Sequence, residues 1–153
     1  MADLQTATLT SVPVGCYQRD GRTPPRTALL HTTAPPVRGS VEAVVKAHTQ
    51  MFCDAAFAVT VVAGWGSHSA LPTGAEWIWL PELDPQHPRI AEMRETLVKG
   101  RMPPGFSTMV RYLTDSLSRL LAGFDKVIVH DAFTSRENLA LTATLHNLLT
   151  SGR

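Results

Sequence analysis

Phe57-Ala-Val-Thr-Val-Val-Ala63, closed by Gly64, is a continuous β-branched run of strand length, and it decides the fold. A run with no polar alternation is buried on both faces of its pleat, as in a parallel sheet covered on both sides. Thr27-Ala-Leu-Leu-His31, bounded by Pro25 and by Ala34-Pro-Pro, predicts a similar buried strand ending near Thr32. Lys126-Val-Ile-Val-His130 predicts another. Glu76-Trp-Ile-Trp-Leu80 alternates and is closed by Pro81, which predicts a strand nearer an edge.

Helical patterns fill the spaces between these runs. Ser40 is a candidate N-cap, Glu42 suits the first turn, and Val41, Val44, Val45, His48 and Phe52 form one stripe. Residues 88–98 place Ile90, Met93, Leu97 and Val98 on one side. After Gly100 and the Pro103-Pro104 start signal, Phe106, Met109, Val110, Leu113, Leu117, Leu120 and Leu121 give the best stripe, which Gly123 stops. Residues 137–149 predict a last helix with Leu141, Leu145 and Leu148 inward. Strands alternating with helices require crossovers, so the expected class is α/β, Rossmann-like, with a mostly parallel sheet and helices on both faces.

The 153 residues suit one domain, preceded by an irregular or mobile leader over 1–25. Within that leader Thr8-Leu-Thr-Ser-Val12 could pair as a short strand. Fourteen basic residues against thirteen acidic ones leave +1, so no footprint for duplex nucleic acid or an anionic membrane is present. The longest apolar run, Ala55 to Ala63, is about half of the ~20 residues a membrane span needs. Cys16 and Cys53 make no disulfide framework, and the start of the chain lacks a signal-peptide pattern, so a reducing, cytoplasmic setting is expected.

Ligands of open α/β sheets sit beyond the carboxyl ends of the strands, where helix N-termini offer free N–H groups. That rule selects residues 32–40, 64–74 and 130–135. Gly39 lets backbone approach an anion closely and Ser40 can cap or donate, although an ordinary helix start reads the same way. No Gly-Lys-Ser/Thr follows, so this is not a P-loop, and Gly64-Trp-Gly66-Ser-His-Ser69 fails as a dinucleotide fingerprint at its third place. His130, beside Asp131 with Thr134 and Ser135 behind, can act as acid, base or donor near neutral pH, or simply cap its loop.

The other histidines are expected in structural or solvated places: His31 within a strand, His48 on a buried stripe, His146 between core leucines, His68 and His87 in water. No two lie three or four apart, so a helix-borne metal pair is excluded, and no metal or cofactor is expected. Trp65, Trp77 and Trp79 read as core packing, with loop-borne Trp65 also able to stack on a sugar or base. No serine has the G-x-S-x-G setting of a hydrolase nucleophile.

Leu29-Leu-His-Thr-Thr-Ala-Pro-Pro-Val-Arg-Gly-Ser-Val-Glu42 resembles the amino-terminal lobe of two-lobed (GT-B type) family 4 glycosyltransferases, in which a first strand leads through a Pro-rich loop to a Gly-Gly-hydrophobic-Glu motif and a helix. The likeness continues through Val59 to Gly64, Leu80 to Asp84 and Phe124-Asp-Lys-Val-Ile-Val-His130, and runs from about Arg26 onward. It implies sugar transfer from a nucleotide-sugar donor to a small-molecule or glycan acceptor, generally without bound metal. It places Gly39 and Ser40 near the donor phosphates and His130 near the transferred sugar; Asp131, beside His130, and loop-borne Trp65 are expected as neighbouring substrate contacts.

Two departures stand out. Ser40 replaces the motif's second glycine, and no E-x7-E stretch of the donor-binding lobe is present. The expectation is therefore an incomplete amino-terminal lobe over 26–153, inactive alone, whose exposed sheet edge favours self-association. The alternative is a stand-alone, non-catalytic α/β module binding a nucleotide, another anionic small molecule or a protein partner.

Overall fold

The computed structural model describes residues 24–152. Most of the expected leader, with its candidate strand Thr8–Val12 and Cys16, lies outside the described residues. Four strands, β1 (Thr27–Leu30), β2 (Val59–Ala63), β3 (Glu76–Trp79) and β4 (Lys126–Val129), alternate with helices α1 (Ser40–Asp54), α2 (Pro88–Val98), α3 (Phe106–Leu121) and α4 (Leu139–Thr150). Every pairing is parallel. β1 lies beside β2, with Leu30 opposite Val62, and beside β4, with Leu30 opposite Val129, while β2 pairs β3 with Ala63 opposite Trp79. The order β3-β2-β1-β4 makes this a Rossmann-like α/β sheet, as the alternation of patterns predicts.

The pleat divides the core in two. Ala28, Leu30 and Val62 point to one face and meet Ile90 of α2, Met109, Leu113 and Leu117 of α3, and Leu141, Leu145 and Leu148 of α4. Leu29, Val59, Val61 and Ala63 point to the other, where Val45 of α1 and the loop residues Leu71 and Ala75 cover them. Helices therefore lie on both faces, three against one.

Local chemistry sets the boundaries. Asn138 caps α4: its side-chain oxygen accepts from Leu141 N–H at 3.0 Å, while its amide donates to the carbonyls of Glu82 (2.8 Å) and Leu83 (3.1 Å). At Gly64 any Cβ would run into the backbone of Leu83 and Asp84, so only glycine lets that turn seat on the end of β2.

Several expectations are corrected. β4 lies at the edge among the described residues, with Lys126 and Val127 exposed, because among them β1 alone pairs with it. Val98 is 82% exposed at the end of α2, and Val44 also faces solvent, since the stripe of α1 buries Val45 and Thr49 instead. His146 is exposed rather than packed among leucines. His87 is partly buried rather than solvated. Trp65 and Trp79 are 54% and 56% exposed, so only Trp77 joins the core as expected of all three. Among the described residues no helix is long and apolar enough to cross a membrane.

Candidate functional site

Parallel pairing brings all four carboxyl ends of the strands to one rim. The chain runs from β1 to β2 and β3 on one side and returns to β4 on the other, so the order reverses between β1 and β4. Crevices at such a switch are where ligands of open α/β sheets bind. Backbone hydrogen bonds continue past the strands here: His130 N–H donates to Leu30 O at 2.9 Å, His31 N–H to Val62 O at 3.1 Å, and Gly64 N–H to Thr32 O at 2.9 Å.

Three imidazoles meet at this switch. His31 follows β1 and is buried; its Nδ1 lies 2.7 Å from the backbone oxygen of His130. A carbonyl only accepts, so that nitrogen carries the hydrogen. Its Nε2 faces Glu42 Oε1 at 3.7 Å, an ion pair whenever the ring is doubly protonated. The Thr33 hydroxyl donates to the same carboxylate oxygen at 2.5 Å. His48, reaching across from α1, sets its ring 5.1 Å from that of His130 at a 52° tilt. His48 Nδ1 and His130 Nε2 are both buried and have no hydrogen-bond partner among the described residues. Burial pushes the His130 imidazole below its ordinary value, and the neighbouring His48 and then His31 push it the same way.

The glycine bend belongs to the same constellation. Gly39, not Ser40, is the N-cap of α1, with extended backbone and no side chain to offer the first-turn N–H groups; Ser40 is the first helical residue and is exposed. The carboxylate of Glu42 folds back over Gly39, where a Cβ would collide with it. Gly39, Glu42, His31 and His130 thus form one run of contacts. Asp131 sits in a left-handed turn (φ 49°), and its carboxylate accepts from the Thr134 hydroxyl at 2.5 Å rather than facing the imidazoles. Trp65 flanks the rim with its ring exposed, its backbone bridged to Thr33 and its carbonyl accepting from Ala34 N–H at 2.7 Å.

His31, His48, Thr33 and the inward turn of Glu42 were not among the expected site residues. His31 stands one residue past its strand, and His48 lies three residues beyond Val45, on the sheet-facing side of α1; both signals were present in the spacing. Among the described residues no group of three His, Cys, Asp or Glu side chains is arranged to hold a metal ion. A separate open groove of about 440 Å³ between α3 and α4, lined partly by Phe106, Val110, Arg111 and Asn147, shares no residue with the rim. No family model matches the chain, and neither a curated protein nor a solved structure does.

Proposed function

We propose that the chain is the amino-terminal, acceptor-side lobe of a glycosyltransferase that moves a sugar from a nucleotide-sugar donor to a small-molecule or glycan acceptor. It turns over only when a second, donor-binding lobe closes on the rim. One observation supports this above the rest: the Gly39 bend, Glu42, His31 and His130 converge at the strand-order switch.

A diphosphate leaving group gathers negative charge in the transition state, and N–H groups at a helix N-terminus stabilise that charge. Gly39 and Ser40 supply them once the Glu42 carboxylate swings off the bend. As the rim opens, His130 Nε2, which has no partner in the closed arrangement, donates to a hydroxyl of the transferred sugar. The exposed indole of Trp65 gives the sugar ring an apolar face to stack on, and Asp131 borders the same opening.

The test is sugar transfer from nucleotide-sugar donors with the donor-binding lobe fused to or mixed with this chain. Transfer with both lobes, none with this chain alone, and at least a tenfold lower rate in His130→Ala are expected. Turnover by the single chain, or a wild-type rate in His130→Ala, contradicts the assignment.

A further inference from the structure

We infer that His31, His48 and His130 form an acid-sensitive latch holding α1 against the β1–β4 rim. Each ring comes from a different place: the end of β1, the middle of α1, and the end of β4. The titratable groups around His130 are His31 from β1 and His48 from α1; Glu42, also on α1, reaches the cluster through His31. Asp131, next in the chain, has its carboxylate engaged by Thr134. No carboxylate therefore pairs with the His48–His130 couple among the described residues.

Neutral rings pack at no electrostatic cost. A proton on the His130 ring would leave its buried Nε2 without an acceptor and set a charge beside the His48 imidazole. The rim can relieve this by opening, which separates α1 from β4 and uncovers His130 Nε2. The folded-state value of His130 is lowered, so the unfolded or opened chain takes up the proton first. Closure is thus fully favoured above about pH 6.5, the ordinary histidine value, and weakens as pH falls from there toward the lowered one. Mildly acid conditions would expose the candidate site, whatever its ligand.

The experiment follows the imidazole Cε1–H resonances of the full chain by NMR from pH 8 to pH 5, together with the Overhauser contact between the His48 and His130 rings. We expect His130 to titrate below free histidine, His48→Gln to raise that midpoint, and the ring-to-ring contact to lose most of its intensity as pH falls below about 6.5. The wild-type titration needs no variant, so a destabilised His48→Gln leaves the first expectation standing as a test. A His130 midpoint at or above that of free histidine, one unmoved by His48→Gln, or a His48–His130 ring contact that keeps its intensity down to pH 5 overturns the latch.

Discussion

The two faces of the sheet are built differently, and the difference sets where the polar side chains gather. Under α2, α3 and α4 the core is made of large aliphatic side chains, Leu30, Leu113, Leu117, Leu141 and Leu145, with the buried amide of Asn138 satisfied on every side. Under α1 the side chains are smaller, mainly valine and alanine, and that helix also delivers Glu42 and His48 to the rim. One face supplies most of the cohesion. The other, with a single helix over it, carries polar groups whose ring nitrogens at His48 and His130 are left without partners. The large aliphatic core and the imidazole cluster thereby lie on opposite faces of one sheet.

That contrast can be broken by substitution. Leu113→Ala, at a fully buried site, is expected to cost about 2–5 kcal/mol in urea unfolding. Asn138→Ala removes a helix cap and two buried amide bonds together, and should cost roughly 2 kcal/mol, with Asn138→Asp restoring only the cap. Val45→Ala under α1 should cost roughly 1–2 kcal/mol, since less is removed and less is packed above it. A loss equal to that of Leu113→Ala would abolish the distinction between the faces. On the polar side, Glu42→Gln takes a charge off the Gly39 bend and should tighten nucleoside diphosphate binding by roughly 0.3–1 kcal/mol, a two- to fivefold change in calorimetric affinity. The smallest effect belongs to exposed β4, where Val127→Thr should shift unfolding by less than about 0.5 kcal/mol.

Much of the architecture was readable before any coordinates. Val59 to Ala63 has the β-branched run of a strand buried on both faces, and its neighbours pair with it in parallel. The α3 stripe is long enough for periodicity to fix its inward side, and Met109, Leu113 and Leu117 are buried as it demands. Exposure at β4 was not readable: Lys126-Val-Ile-Val has the same composition whether one neighbour or two pair with it, and only the sheet order decides.

The site was half readable. Gly39 and His130 followed from the rule that ligands gather at carboxyl ends, and both reach the same rim. A half-buried histidine on an apolar stripe, such as His48, gives no local sign of what faces it; another element, β4, supplies that neighbour. Asn138 is legible, since an asparagine just before a leucine-rich run is an ordinary N-cap signal.

The most direct measurement is an NMR titration of the ¹⁵N-labelled chain, at about pH 6 and again at about pH 7.5, with a nucleoside diphosphate and, separately, with a nucleotide-sugar. Shift changes confined to residues 31–42, Trp65 and 130–131, and enlarged in Glu42→Gln, are the outcome this account requires. Changes confined to the groove between α3 and α4 around Phe106 and Arg111, or none at any concentration, would contradict a ligand site at the β1–β4 switch.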